Sequence, residues 1–368
     1  MQAAGRAGIR LDWLDYLRLL CALWVLFGHY LSTSVGTVAQ PGVSGYGLAG
    51  EIGSYAPVAL FTFLMMSGMV ITMIASRQNA ETFFSHRFAR IYPTFFLIMT
   101  LTALLSPLGP EAMHVSLTQY LANLPINAPL FGERYVSGVY WTLVIEIWFY
   151  LAMLAVIMTG AVRRLQAVVT IWVLLQAAMV ALPWRLPLLG LDYYFLAAGA
   201  VFGLFYQGRN DRLNLALLAV SLALCVVSVA HYARPFEFDP VIGGVVTFLV
   251  FGLFLLMRGR NPKLPGSKRA GSMTYALYLL HFPVGVIIFS HWIDDANKWW
   301  VVAGTTVLVI AVSVAFDDLV EFRLRPFWLR LTRASVARPF AWWDRRMARG
   351  RDALPAQEAA EARPISSG

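Results

Sequence analysis

The stretch Asp15–Tyr30, DYLRLLCALWVLFGHY, decides the fold class, because it is an apolar run of membrane length that nevertheless contains Arg18 and His29. Only 13% of the 368 residues are charged and 59% are hydrophobic. Soluble domains carry about 25% charged residues, so this composition places the chain in a lipid bilayer. The run is longer than the core of a signal peptide and has no small-residue cleavage site, so we expect it to be retained as a membrane helix.

Further apolar runs of about 18 residues or more follow along the chain. They predict an all-α polytopic membrane helix bundle with about ten transmembrane helices. The predicted spans lie near 14–35, 55–76, 84–106, 138–159, 163–182, 193–207, 213–230, 241–257, 274–291 and 299–319. Because the sixth span is short and arginines and a proline interrupt the third, the count could be about nine to eleven.

The net charge of +9 is explained by how the Lys and Arg residues are distributed among the loops between these spans. About 24 of the 29 Lys and Arg fall in loops on one side of the predicted bundle, which is the positive-inside pattern. Both termini are therefore predicted to be cytoplasmic. The outward loops contain only Arg134, Arg185, Arg234 and Lys298. Since topology accounts for the basic excess, we expect no nucleic-acid partner.

The sequence divides into four segments around one membrane domain. Residues 1–13 are predicted to be a cytoplasmic N-terminus, and 14–320 the transmembrane domain. The segment 321–350 mixes basic and aromatic residues, which favours a cytoplasmic membrane surface with anionic lipids as partners. Residues 351–368 read as a disordered tail. The two cysteines, Cys21 and Cys225, have neither metal-ligand nor disulfide spacing, and no metal site is expected.

Ionisable residues inside membrane spans are costly and indicate functional sites. Arg18 and His29 are eleven residues apart, so they share a helix face and are separated by about 16 Å along the axis. Asp15 lies on the adjoining face at the cytoplasmic edge. Arg18 could instead snorkel to the interface, and His29 could be a structural hydrogen-bonding residue between helices.

The third span opens with a second pair of cations. Arg87 and Arg90 share a face at its cytoplasmic end, and Pro93 loosens the helix one turn further on. Ordinary flanking charge is one interpretation. With Arg18, these residues form a predicted cationic layer suited to a phosphate-bearing ligand, since guanidinium groups bind phosphate bidentately.

A second predicted layer lies deeper and suits proton transfer. Glu146 is about 12 Å below the outer surface in the fourth span, and His281 is near mid-depth in the ninth. His29 is the third member of this layer. Histidine titrates near neutral pH, which fits general acid–base chemistry, although a buried histidine bonded to a backbone carbonyl is an equally good interpretation of His281.

Six motifs occur in order on this ten-span frame, and together they resemble the integral-membrane acyltransferase 3 family, bacterial O-acyltransferases of cell-surface or secreted carbohydrates. They are Arg18-x10-His29 with Asp15, Ser67-Gly68, Arg87-x-x-Arg90 before Ile91-Tyr92-Pro93, WTLVIEIWFY with Glu146, YALYLLHFPV with His281, and VEFRLRPF with Glu321 and Pro326. The chain departs from the family at His86, where a second arginine is common, and at Met69, where phenylalanine is common. It resembles the standalone form without a C-terminal hydrolase-like domain.

The resemblance implies a donor, an acceptor and a location. An acyl-CoA, expected to be acetyl-CoA, would be the cytoplasmic donor substrate, with no tightly bound cofactor. Its phosphates would bind Arg18, Arg87 and Arg90. The acceptor would be a hydroxyl of a carbohydrate or glycolipid, with Trp141 and Tyr278 contacting the substrate, and the enzyme would lie in the bacterial inner membrane.

His29 is predicted to be the general base, although transient acylation of its ring is an alternative. Glu146 or Asp15 would orient the imidazole, and Arg18, Tyr278 or His281 would stabilise the oxyanion. A different class of function is also open, namely a proton-coupled transporter or flippase of a glycolipid or anionic solute. The absence of visible inverted repeats counts against that class.

Overall fold

A computed structural model describes residues 10–32, 40, 42–180 and 186–348, and these residues form helices without any strand. The N-terminal half contains helices α1 Asp12–Leu31, α2 Leu48–Gly53, α3 Ala56–Ala75, α4 Ala80–Leu105, α5 Leu117–Asn123, α6 Trp141–Met158 and α7 Leu165–Met179. The C-terminal half contains α8 Tyr194–Tyr206, α9 Arg212–Ala233, α10 Pro240–Leu256, α11 Ser267–Trp292, α12 Lys298–Phe316 and α13 Arg325–Ala334. A π-helix, Asp317–Arg323, joins α12 to α13.

Each of the ten predicted spans corresponds to a helix. Eight helical segments of the described chain are long and apolar enough to cross a membrane, and α8 and α10 are shorter apolar helices. This confirms the prediction of an all-α polytopic helix bundle. The predicted disordered tail, 351–368, lies outside the described residues.

The short sixth span, α8, is enclosed by protein. Its residues from Tyr194 to Phe205 are all buried. A helix of 13 residues is about 20 Å long, shorter than the hydrocarbon core. Because neighbouring helices surround α8, its length need not match the bilayer.

Helices α3 and α8 approach each other at two glycines. A Cβ on Gly68 would lie 2.2 Å from the carbonyl oxygen of Leu196, and one on Gly199 would lie 2.0 Å from that of Met65. Neither contact is possible for a side chain, so only glycine permits this spacing. The Gly68 position in the second-span motif is therefore explained by backbone packing.

Helices α1 and α11 pack closely through a tyrosine. A Cβ on Gly285 would lie 2.5 Å from Cε1 of Tyr30, so this glycine makes room for the Tyr30 ring. The hydroxyl of Tyr30 donates a hydrogen bond of 2.6 Å to the backbone carbonyl of His281. This bond fixes α1 against α11 next to His29.

The loop between α5 and α6 is held by Asn123, which is fully buried. Its amide nitrogen donates to the carbonyl of Arg134 at 3.0 Å, and its amide oxygen accepts from the backbone N–H of Val136 at 3.1 Å. The buried amide replaces the backbone pairing that an irregular loop lacks. It positions the residues that lead into α6.

The C-terminal segment packs against the ends of two helices. The Asp344 carboxylate accepts hydrogen bonds from the backbone N–H groups of Ala80 (3.2 Å) and Glu81 (2.9 Å) at the start of α4. Trp343 donates its indole N–H to the carbonyl of Met158 at 3.2 Å. The predicted interfacial segment thus also covers the ends of α4 and α6, while its contact with lipid stays a prediction.

Candidate active site

Two histidines from different helices meet inside the bundle. His29, two residues before the end of α1, places Nδ1 3.2 Å from Nε2 of His281 on α11. The ring centroids are 5.0 Å apart. His281 is only 1% exposed, whereas His29 is half-buried. The helix faces and depths predicted from the sequence did not indicate that the two rings touch.

His29 faces a cavity of about 250 Å³. The cavity wall is mostly apolar and rich in aromatic rings, and His281 is not part of it. Both predicted substrate-contacting residues, Trp141 and Tyr278, line it. The complete lining is Val25, His29, Ala56, Pro57, Leu60, Phe61, Gly138, Val139, Trp141, Tyr232, Phe236, Tyr278 and Phe282.

Tyr278 is held at the cavity wall by hydrogen bonds to Thr142 in α6 and to Val139, two residues before α6. Its hydroxyl lies 2.8 Å from the Thr142 hydroxyl and donates to the carbonyl of Val139 at 3.2 Å. The Thr142 hydroxyl donates to the same carbonyl at 3.0 Å. Since its hydrogen is used in this way, Tyr278 is positioned to shape the cavity wall more than to donate to an oxyanion.

The three predicted anion-binding arginines lie together. Arg18 and Arg87 each interact electrostatically with Arg90. The only ion pair of Arg18 in the described chain is with Asp15, at 3.6 Å, and Asp15 also binds Arg10 at 2.9 Å. The ion pairs of the described residues include neither Arg87 nor Arg90.

Arg87 has an unsatisfied donor. Its Nε atom is buried and, within the described residues, has no hydrogen-bond partner. Buried polar groups are normally paired, because an unpaired donor costs about 1–3 kcal/mol. The arginine group thus combines three neighbouring guanidinium groups with one buried donor that has no partner among the described residues, which suits an anion site.

Glu146 lies with the arginines and not with the histidines. The Ser67 hydroxyl donates to its Oε1 at 2.5 Å, and the Tyr150 hydroxyl donates to the same oxygen. Both Arg18 and Arg87 interact electrostatically with it. Among the contacts of the described residues, Glu146 is therefore joined to the arginine group, and none of these contacts joins it to His29 or His281.

No contact among the described residues supports the expectation that Glu146 or Asp15 orients His29. Neither Glu146 nor Asp15 makes a hydrogen bond or ion pair with His29 among the contacts of the described residues. Nδ1 of His29 instead lies 2.9 Å from the backbone carbonyl of Val25, one turn earlier in α1. Spacing along single helices could not show this, because the packing between helices decides which residues become neighbours.

Several cavity residues were not predicted from the sequence. Tyr232 lies in the last turn of α9, Phe236 follows this helix, and Phe61 comes from α3. Aromatic residues near a span end are typical of the membrane interface, so no signal separated these from ordinary anchors. Phe282 directly follows His281 in the YALYLLHFPV motif, and its ring is 5.3 Å from that of His29.

The helix bundle, with histidines and arginines inside it, defines a multi-pass membrane protein with a buried polar site. The family model described as an acyltransferase domain, acyltransferase 3, matches residues 11–318. The chain belongs to the acyltransferase 3 family, and it is a membrane acyltransferase. Searches of curated proteins and of solved structures found no match.

Proposed function

We propose that this enzyme moves an acyl group, namely acetyl, from cytoplasmic acyl-CoA to a hydroxyl of a cell-surface or secreted carbohydrate or glycolipid. The observation that carries the proposal is the pair of sites on one face of α1. The arginine group, in which Arg87 has a free guanidinium donor, lies at Arg18, and an imidazole facing a cavity lies at His29. The bacterial inner membrane, with the cytoplasm on the arginine side, is the proposed location.

The arginine group supports the donor assignment. CoA carries several phosphates, and guanidinium groups stay charged and bind phosphate when desolvated. Arg18 and His29 are about 16 Å apart along α1, a span that a thin pantetheine arm can bridge. The phosphates would bind Arg18, Arg87 and Arg90, and the thioester would lie next to the cavity.

The cavity supports the acceptor assignment. Its aromatic lining can pack against the C–H face of a sugar ring, and Nε2 of His29 makes no hydrogen bond with the described residues. The acceptor oxygen would lose its proton to that nitrogen and bond to the acyl carbon. The carbon–sulfur bond would then break, and the thiolate would take the proton to give CoA and an ester.

Mass spectrometry of surface and secreted carbohydrates tests the function most broadly. Cells that express the protein should yield glycans heavier by one acyl group than cells that lack it. Cells expressing the His29→Ala variant are the matched control and should yield unmodified glycans. Identical spectra from all three would overturn the proposal.

A further inference from the structure

The two histidines contact each other, and within the described part of the chain no carboxylate makes a hydrogen bond or ion pair with His29. Acid–base histidines usually need an acceptor on the ring nitrogen that faces away from the substrate, because it fixes the tautomer and stabilises the imidazolium that forms. His281 is the side chain in that place.

Contacts with two backbone carbonyls indicate which ring nitrogens of His29 and His281 carry a hydrogen. Nδ1 of His29 lies 2.9 Å from the carbonyl of Val25, and Nδ1 of His281 lies 3.2 Å from the carbonyl of Leu277. A carbonyl only accepts, so each Nδ1 carries the hydrogen. A second hydrogen on Nε2 of His281 would point at the Nδ1–H of His29. Nε2 of His281 therefore holds a lone pair, and the Nδ1–H of His29 is shared between it and Val25.

This assignment leaves Nε2 of His29 as the basic atom of the pair. His29 lines the cavity and is half-buried, while His281 is 1% exposed and lies behind it. The Tyr30 hydroxyl holds the backbone of His281 in place at 2.6 Å. The arrangement gives the His29 ring access to the cavity and places the His281 ring behind it, with Nε2 next to Nδ1 of His29.

We propose that His281 is the positioning residue of a histidine dyad, taking the place that a carboxylate occupies in other catalytic triads; this rests on the proposed function. The acceptor hydroxyl gives its proton to Nε2 of His29. The Nδ1–H bond of His29 to Nε2 of His281 strengthens, and the positive charge is spread over both rings. When the carbon–sulfur bond breaks, Nε2–H of His29 protonates the leaving thiolate, and both rings return to neutral.

A neutral acceptor suits this position. The pair lies in an apolar part of the bundle, where an isolated carboxylate would cost several kcal/mol to bury. Imidazole supplies a strong hydrogen-bond acceptor without a permanent charge. The resting site is thus neutral, and a charge exists only during transfer.

Two substitutions of His281 separate a dyad from a purely structural role. His281→Leu keeps the bulk and removes the acceptor, and His281→Gln places an amide oxygen where Nε2 was. His291→Leu is the matched control, because Nδ1 of His291 also lies near a carbonyl one turn earlier, that of Ile287, on the same helix. His291 is exposed and lies outside the site.

The measurement is release of CoA thiol from acetyl-CoA by purified protein in proteoliposomes, with the host's carbohydrate extract as acceptor. We expect His281→Leu to lower kcat by about 100-fold or more, and the KM for acetyl-CoA to change by less than about threefold. His281→Gln should recover at least about tenfold of the lost kcat, and His291→Leu should match the wild type.

Equal losses in His281→Leu and His281→Gln, or a wild-type kcat in His281→Leu, would overturn the dyad while leaving the proposed function intact. A wild-type protein that releases no CoA would instead overturn the proposed function, so the two failures differ. If His281→Leu does not fold, His281→Asn replaces it: its shorter amide cannot reach His29, and kcat should fall well below that of His281→Gln. Equal kcat in the two amide variants would contradict the dyad.

Discussion

At the scale of single residues, the arginine group contains a buried donor that lacks a partner. Arg87 keeps a buried Nε donor without a partner among the described residues, and the three guanidinium groups interact with Asp15, Glu146 and Asp317, of which Asp15 is shared with Arg10. Burying unpaired charge is costly, so such an arrangement persists where an anion completes it. Phosphate groups of the donor would supply the missing acceptors.

Arg87→Ala is expected to weaken CoA binding by about tenfold or more, because a hydrogen bond to a charged group contributes about 1.5–3 kcal/mol. Isothermal titration with CoA measures this directly. Arg163→Ala is the control, since Arg163 is an exposed arginine between α6 and α7 without an ion pair in the described chain. Equal affinities for wild type and Arg87→Ala would contradict the anion site.

The sequence shows which ionisable residues lie within the spans. It does not show which residues these side chains contact. Arg18, Arg87 and Arg90 were placed together correctly, because all three lie at one end of their spans. Glu146 was grouped with the histidines on depth alone, and the structure places it on Ser67 and Tyr150. The depth of a residue in the membrane follows from its position in a span, whereas its neighbours on other helices depend on how the helices pack.

At the scale of helices, the Ser67-Gly68 pair has two separate roles. The Ser67 hydroxyl bonds Glu146, and Gly68 lets the backbone of α8 approach α3. Small residues at helix contacts allow such close packing within membranes, where van der Waals contact stabilises helix association. The motif therefore links the buried carboxylate to the central helix of the bundle.

Gly68→Val should destabilise the protein by about 1–3 kcal/mol or more, because the added side chain meets the Leu196 carbonyl and the helices must separate. Gly304→Ala is the control: it lies in α12 with open space around it, and its effect should stay within about 1 kcal/mol. Thermal unfolding in detergent compares the two. A Gly68→Val protein as stable as Gly304→Ala would contradict the packing seen between α3 and α8.

A second contact between elements joins the loop that contains Ser44 to the loop that contains Asp295. Asp295 accepts hydrogen bonds from the backbone N–H of Ser44 (3.0 Å) and from the Lys298 ammonium (2.9 Å). These bonds lower the pKa of Asp295 to about 2. This clasp, formed by Ser44, Asp295 and Lys298, connects residues 42–47 to the turn between α11 and α12.

The clasp should be insensitive to pH in the ordinary range. Because the folded pKa lies below the ordinary value of 3.8, its contribution is present above pH 3.8 and is lost as the pH falls through about 2. Hydrogen–deuterium exchange should therefore give a constant protection factor for the Ser44 amide from about pH 5 to 8. Asp295→Asn should lower that protection at every pH. Protection in the wild type that falls between pH 8 and 5 would show that another group controls the loop.

At the scale of the whole molecule, α1 carries both sites and the surrounding helices complete them. Its N-terminal end meets the arginines of α4, and its C-terminal end meets the histidine of α11. The positions of these helices could be predicted, because apolar runs of membrane length mark them clearly. The arrangement of these helices around α1 could not be predicted. It depends on contacts such as that of Tyr30 with Gly285, which no local sequence pattern indicates.

In the proposed mechanism, His29 performs the transfer while the arginines hold the donor. Acyl transfer and CoA binding by purified His29→Ala, measured side by side with wild type, test it most directly. Transfer should fall by about 100-fold or more, and CoA affinity should stay within about threefold, because His29 is about 16 Å from Arg18. Transfer by His29→Ala at the wild-type rate would contradict the account.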